Sequence, residues 1–146
     1  MGPFTVDASV FLNAFNPYEA GHEESYRLLT RLQTDAIPIV VPTLLLPEVA
    51  GTIARGRQDS QLAREFTHAL SRLPHVVFVP LDAALEQRAL AVAAEHRLRG
   101  SDAVYATVAL QFGSTLVTLD REQRERASKV VPTRRPSEAM SESTGS

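Results

Sequence analysis

The sequence predicts an α/β protein, a three-layer α/β/α sandwich built on a mainly parallel sheet of four to five strands. Short apolar β-prone runs alternate with longer helical segments along most of the 146 residues, and this alternation is typical of crossovers between parallel strands. The segment AVYATVALQF is apolar nearly all round, as expected of a helix buried between a sheet and another layer. A chain of this length predicts one domain of ordinary size.

The first half of the chain is predicted to form two strand–helix units. Residues 4–6 form a β-prone run, and Ser9 is predicted to cap the helix that follows it. A polar helix is predicted over 19–34, a buried strand over 37–41 and a third helix over 43–57. In that last helix Leu45, Val49 and Ile53 recur with helical spacing, so they are predicted to face the core.

The second half continues the same alternation. A helix over 59–73 is predicted to bury its apolar side chains Leu62, Phe66, Ala69, Leu70 and Leu73. A third strand follows over 75–79, and Asp82 is predicted to cap a helix that ends near residue 98. The apolar helix over 102–112 stops at Gly113. A fourth strand over 115–119, a short charged helix and a fifth strand over 129–131 complete the prediction.

The end of the chain differs in composition from the rest. Residues 1–132 are predicted to form the folded domain, whereas residues 133–146, TRRPSEAMSESTGS, are rich in Ser, Glu and Pro. Because this segment has almost nothing to bury, it is predicted to be a disordered C-terminal tail.

Composition and charge limit the function classes. With no Cys, disulfides, thiolate zinc sites and cysteine nucleophiles are excluded. No segment resembles an export signal or a membrane span, so we expect a soluble cytoplasmic protein without a membrane partner. The formal net charge of -2, from 15 basic and 17 acidic residues, argues by itself against a broad basic surface for nucleic acid.

Four acidic residues occur where a site of this fold class is expected. In parallel α/β folds, ligands bind beyond the carboxyl ends of the strands. Asp7 follows the first predicted strand, Asp120 follows the fourth, Asp102 begins the apolar helix, and Glu48 lies in the apolar context LLLPEVAG. Each has an ordinary local explanation, as a turn residue, a helix cap or a solvent-facing side chain.

Taken together, these acids indicate a metal site. Carboxylates that converge at one sheet edge repel one another, and a divalent cation is their natural neutraliser. Mg²⁺ or Mn²⁺ suits an all-oxygen ligand set, whereas zinc is disfavoured by the lack of Cys and of paired His spacings. Such ions on carboxylates typically support phosphodiester chemistry.

Four motifs, taken in order, resemble the PIN-domain nuclease family and its VapC-like toxin subclass. They are VDAS, PEVAG, RLRGSDAVYATVAL and LVTLD, and the resemblance covers residues 4–131. It implies a metal-dependent ribonuclease, usually dimeric and often inhibited by a small antitoxin protein. By motif, the family's acidic positions fall on Asp7, Glu48, Asp102 and Asp120, with Ser9 and Thr118 as supporting polar residues. Leu119 departs from the small or polar residue that the family commonly carries there.

The residues suggest a division of roles. Asp7 and Asp102 are expected to bind the first Mg²⁺ or Mn²⁺, Asp120 to bind that ion or a second one, and Glu48 to hold the attacking water. Arg55 shares a helix stripe with Glu48, and Arg99 lies three residues before Asp102. Both arginines are therefore candidate contacts for RNA phosphates, since the guanidinium fork matches phosphate oxygens.

Other functions remain open on the sequence alone. An aspartyl-phosphate phosphatase of the haloacid-dehalogenase type needs Asp-x-Asp and a downstream Lys, but Ser9 occupies the second acidic position and the only Lys is Lys129. A phospho-receiver domain is disfavoured for the same reason, because this chain lacks the paired acids that such a domain carries after its first strand. A PIN-fold protein-binding module without activity is a further alternative, and DNA is not excluded as a substrate. Without the four site acids the chain is basic by two charges, so RNA affinity is expected to require the metal.

Overall fold

A five-stranded sheet, parallel throughout, forms the centre of the molecule. The computed structural model describes residues 2–144. The strands are β1 (Phe4–Val6), β2 (Ile39–Pro42), β3 (Val76–Val79), β4 (Thr115–Val117) and β5 (Thr133–Arg134). They lie in the order β3-β2-β1-β4-β5, with Phe4 paired to Ile39 on one side and to Thr115 on the other. The predicted fold class is confirmed.

Helices flank this sheet in two packed groups. The helices are α1 (Ala8–Phe15), α2 (His22–Thr34), α3 (Leu45–Arg57), α4 (Ser60–Ser71), α5 (Ala83–His96), α6 (Gly100–Phe112), α7 (Arg121–Ala127) and α8 (Pro136–Thr144). One group joins α1 to α2 and α3, with α4 on α3 and α8 on α2. In the other group α5 and α7 pack on α6, which itself contacts β1, β2 and β4.

Local sequence explains where four of the helices begin. The side chains of Asp7, Asp59, Asp82 and Asp120 each accept a backbone N–H from the first turn of the helix that follows. Asp7, and not the predicted Ser9, is thus the cap of α1, because its carboxylate accepts the Ser9 N–H. Gly113 ends α6 in the left-handed conformation that glycine adopts without strain.

The core consists of apolar side chains from the strands and from the helix faces that pack against the sheet. Leu45, Val49 and Ile53 of α3 are buried as their spacing predicted, and α6 is buried on all sides from residue 102 to 109. The prediction for α4 was only partly right, because Ala69 and Leu73 are exposed. Together with Phe15, Tyr26 and other residues of α1 and α2, they line an open apolar groove of about 440 Å³.

The end of the chain corrects two predictions. The fifth strand is Thr133–Arg134 and not 129–131, where the chain forms a turn after α7. Residues 133–144 of the predicted disordered tail are ordered, since β5 pairs with β4 and α8 packs on α2 and β5. Ala139 of α8 is fully buried. The last two residues of that predicted tail, 145 and 146, lie outside the described residues.

The strand order creates a crevice between β1 and β4. The chain moves from β1 through β2 to β3 in one direction and then crosses to β4 on the other side of β1. Loops that leave the carboxyl ends of β1 and β4 therefore diverge, and ligands of parallel α/β folds bind at such a switch point. Within the residues described, no helix is long and apolar enough to cross a membrane.

Candidate metal centre

Asp7 stands at the carboxyl end of β1, on the floor of the crevice. It caps α1, its carboxylate is buried, and only 7% of the residue is exposed. Two hydrogen bonds end on Oδ2, from the Ser9 N–H at 3.1 Å and from the Thr118 hydroxyl at 3.3 Å. Burial raises the pKa of Asp7 above its ordinary value, although these donors partly offset the effect.

The residues after β4 form the opposite side of the crevice. Thr118 is fully buried, and its hydroxyl oxygen accepts the Asp120 N–H at 3.1 Å. Ser9 lies across the gap, where its hydroxyl oxygen accepts the Leu119 N–H at 3.2 Å. Asp120 caps α7 through Oδ1, and the hydrogen bond from the Gln123 N–H, helped by Arg99, lowers the pKa of Asp120.

Asp102 lies in the first turn of α6, close to the positive end of the helix dipole. Arg99, the residue just before α6, donates from Nε to Asp102 Oδ2 at 3.1 Å and from Nη2 to Asp120 Oδ2 at 2.7 Å. The exposed guanidinium of Arg99 therefore joins Asp102 to Asp120. Burial still raises the pKa of Asp102, against the lowering effect of Arg99.

Glu48 reaches the same site from α3. Its Oε1 accepts a 2.8 Å hydrogen bond from the hydroxyl of Tyr105, which is fully buried in α6. Burial raises the pKa of Glu48, and the negative charges of Asp7 and Asp102 raise it further. The carboxylate of Glu48 in one layer of helices is thus held by the Tyr105 hydroxyl from the other layer.

The four acids form one electrostatic unit. Asp7 raises the pKa of both Glu48 and Asp102, and Asp120 also raises that of Asp102. The direct hydrogen bonds of Asp7, Glu48 and Asp102 end on one oxygen each. The side-chain oxygens of these acids lie at the carboxyl edge of the sheet, and the charges of Asp7, Glu48 and Asp102 interact there. Such carboxylate oxygens are the donors that Mg²⁺ and Mn²⁺ prefer, so the residues fit a hard divalent cation.

The four acids are not already close enough together to surround one metal ion. Among the described residues, no three acidic or imidazole side chains stand close enough to form a ready-made metal cage. This spacing has a physical reason, since like charges repel and Arg99 holds Asp102 and Asp120 through ion pairs. A bound cation would have to draw the carboxylates inward and compete with the guanidinium.

The structure brings most of the predicted site residues together. Contacts or charge interactions link Asp7, Ser9, Glu48, Arg99, Asp102, Thr118 and Asp120. Arg55 is the exception, because it lies exposed in the last turn of α3 and makes no contact with these acids in the described part of the chain.

Two site residues were missed by the sequence analysis. Tyr105 carries the hydroxyl that holds Glu48, and Gln123 contacts both Thr118 and Asp120. Tyr105 follows Asp102 by three residues on α6, so helical spacing would have placed the two side chains on one face. Gln123 stands at the third helical position after the cap Asp120, where its backbone N–H is expected to be bonded but its side chain is not.

Comparisons with known proteins agree with this architecture. A family model described as PIN domain matches residues 4–129. PAE2754 from Pyrobaculum aerophilum is similar with a TM-score of 0.70 and 21% identity, covering 99% of this chain and 91% of that one. VapC20 from Mycobacterium tuberculosis, a sarcin-ricin loop cleaving toxin, gives 0.65 and 21% over 82% and 92% of the two chains.

A toxin-antitoxin complex from Klebsiella pneumoniae is also similar, with a TM-score of 0.58 and 20% identity over 80% of this chain and 86% of that one. At these identities the likenesses show a common fold. No curated protein matches the chain significantly in sequence.

Proposed function

Because the chain belongs to the PIN-domain family, we propose that it is an Mg²⁺- or Mn²⁺-dependent endoribonuclease and the toxin of a toxin–antitoxin pair. One observation carries the proposal. Four acids from four separate segments interact at the switch point between β1 and β4, where burial raises the pKa of Glu48 and Asp102 and the repulsion between the acids raises it further. Carboxylates with raised pKa values cluster at functional sites, where a cation offsets their repulsion or a reaction uses it.

The residues divide the work as follows. Asp7 and Asp102 would hold the first cation, and Asp120 would hold the same ion or a second one. When bound, the cation supplies a water of lowered pKa and neutralises charge on the scissile phosphate. Glu48 is placed to orient the attacking water and accept its proton, since Tyr105 fixes one of its oxygens and its charge interacts with those of Asp7 and Asp102.

Arg99 and Arg55 are the proposed phosphate contacts. Arg99 is two-thirds exposed and stands at the rim of the acids, so a guanidinium released from Asp102 and Asp120 would meet an RNA phosphate beside the cleavage site. Arg55 is exposed further along the helix that carries Glu48. It would contact the RNA backbone away from the scissile bond.

The proposed partners are an antitoxin and a second copy of the chain. The structural neighbour from Klebsiella pneumoniae is a toxin-antitoxin complex, which supports a small inhibitory protein here. Large apolar side chains remain exposed on α5 and α6, namely Leu90, Leu110 and Phe112, which supports a homodimer. Light scattering after size exclusion, with and without a co-expressed small partner, measures both; a monomeric mass that no partner changes contradicts them.

The function is tested by cleavage of mixed RNAs with Mn²⁺ or with EDTA. We expect cleavage only with the metal, and Asp7→Asn and Asp102→Asn should each reduce the rate by about 100-fold or more because a ligand is lost. Asp59→Asn is the matched control, because Asp59 also caps a helix, α4, but lies outside the acid set. Its rate should equal that of the parent.

The same experiment separates the alternatives. Cleavage that persists in folded Asp7→Asn and Asp102→Asn proteins would refute the assignment of these acids. A parent protein that binds Mn²⁺ and RNA without cutting would instead indicate an inactive binding module. Single-stranded DNA is included as a second substrate, and equal cleavage of DNA would remove the restriction to RNA.

A further inference from the structure

We propose that Gln123 is a positioning residue of this site, one that orients the hydroxyl of Thr118 toward Asp7 and so prepares Asp7 for the cation. The inference rests on the proposed metal-dependent function. It concerns a side chain that touches none of the acids itself and that neither the fold class nor the motifs single out.

Gln123 has an unusual environment for an amide. It lies in the first turn of α7 with only 1% of its surface exposed, among the largest fully buried side chains of the protein. Its side-chain amide contacts Thr118, with 2.7 Å between Oε1 and the hydroxyl oxygen. A long polar side chain is rarely buried this completely unless its amide is used.

The hydroxyl of Thr118 has three polar neighbours but one hydrogen. It accepts the Asp120 N–H at 3.1 Å, and both Gln123 Oε1 at 2.7 Å and Asp7 Oδ2 at 3.3 Å lie within reach of its hydrogen. A hydroxyl offers one donor and two acceptor positions. If the hydrogen goes to Gln123, an ionised Asp7 faces an oxygen lone pair across the 3.3 Å contact.

A half-turn of the Gln123 amide resolves this conflict. With Oε1 toward Thr118, the Nε2 group is buried and has no hydrogen-bond partner within the described residues. After the half-turn, Nε2 donates to the second acceptor position of Thr118, and the hydroxyl hydrogen is released for Asp7. A buried acceptor without a partner is then left in place of a buried donor, which proteins tolerate better.

This arrangement links the acids on the two sides of the crevice. The backbone N–H of Gln123 donates to Asp120 Oδ1 at 2.9 Å, while its side chain acts through Thr118 on Asp7 Oδ2. The hydrogen bonds on Oδ2 would then fix the orientation of the Asp7 carboxylate that is to hold the cation. Outer residues that orient a ligand in this way commonly change metal affinity by about 10- to 100-fold when replaced.

The test compares Mn²⁺ affinity with stability in the full chain. Gln123→Met keeps length and volume but removes the amide, and Gln123→Leu is measured beside it. We expect Mn²⁺ affinity by calorimetry to fall about 10-fold. The melting temperature in EDTA should stay close to that of the parent, since a buried group without a full set of partners is removed. Thr107→Val, which removes a buried hydroxyl bonded to Ala103 O within its own helix, is the control and should change neither Mn²⁺ affinity nor cleavage.

A double-mutant cycle tests whether Gln123 acts through Thr118. Thr118→Val should weaken Mn²⁺ binding, Thr118→Ser should retain it, and Gln123→Met should add nothing to Thr118→Val. Parent-like Mn²⁺ affinity in the Gln123 variants, or losses that multiply in the double variant, would overturn the inference and leave the proposed function intact. A parent that neither binds Mn²⁺ nor cleaves RNA would overturn the proposed function and, with it, this inference.

Discussion

Single acids in this site serve the fold and the proposed chemistry at once. Asp7 and Asp120 cap α1 and α7, each through one carboxylate oxygen. Asn caps helices as well as Asp does, so an Asp→Asn change at these positions removes charge while the helix start is kept. The local explanation and the functional one are therefore compatible, because a carboxylate has two oxygens and a cap uses one.

Arg99 is the residue whose replacement separates metal binding from RNA binding. Because its guanidinium pairs with Asp102 and Asp120, it competes with a cation for the same oxygens. We expect Arg99→Gln to bind Mn²⁺ several-fold more tightly in calorimetry and to bind RNA more weakly. Loss of one phosphate contact should also reduce the slope of log affinity against log salt by about 0.7.

The control for Arg99 is Arg88→Gln, the same change at an exposed arginine of α5. It should alter neither Mn²⁺ affinity nor RNA affinity. Weaker Mn²⁺ binding by Arg99→Gln would mean that the arginine organises the acids for the cation, and the competition would be refuted.

At the scale of elements, α6 and α8 were predicted with opposite success. The apolar pattern of α6 shows in the sequence because burial on all sides requires apolar residues at every position. In contrast, α8 buries a narrow strip that includes Ala139, and contacts with α2 and β5 hold it. Ion pairs of Arg134 with Glu142 and of Arg135 with Glu138 support its ends. Such tertiary support is invisible in a Ser- and Glu-rich segment.

The role of α8 is tested by placing a charge on its buried face. Ala139→Asp should lower the free energy of unfolding by about 3 kcal/mol, because a carboxylate is buried against α2 without a partner. The melting temperature should fall by roughly 10 °C. Ser137→Asp puts the same side chain on an exposed position of the first turn of α8 and should have little effect. Equal melting temperatures for both variants would mean that the segment is not docked.

For the whole molecule, charge and topology act together. The sheet order brings acids that are more than 100 residues apart, Asp7 and Asp120, to one crevice. Burial there raises the pKa of Asp7, Glu48 and Asp102. The folded protein without metal therefore binds protons at these groups more tightly than the unfolded chain does. Its unfolding free energy falls as pH rises through the raised pKa values.

This linkage gives a pH prediction with a definite sign. In EDTA, the parent should lose stability relative to Asp7→Asn as pH rises from 3.8, the ordinary aspartate pKa, through the raised pKa of Asp7, because only the parent must ionise Asp7 in its buried site. Mn²⁺ needs the deprotonated carboxylates, so its stabilising effect on the parent should increase over the same interval. Asp120 contributes in the opposite direction, since its pKa is lowered and its stabilisation is lost only in acid.

Melting temperatures with EDTA and with Mn²⁺ across this pH range provide the measurement. Asp59→Asn serves again as control and should follow the parent. An Mn²⁺ effect that is independent of pH, or one that Asp7→Asn retains in full, would contradict the prediction.

The sequence by itself determined the α/β class and singled out the four candidate acids, because hydrophobic periodicity, cap residues and motif order are local properties that a chain carries along its length. Only the tertiary structure decided that Arg99 bridges Asp102 and Asp120, that Tyr105 holds Glu48, and that Gln123 reaches Thr118. It likewise decided that residues 136–144 form a helix. These features depend on which side chains meet across layers and on how deeply each is buried. Sequence spacing predicts neither the contacts nor the burial.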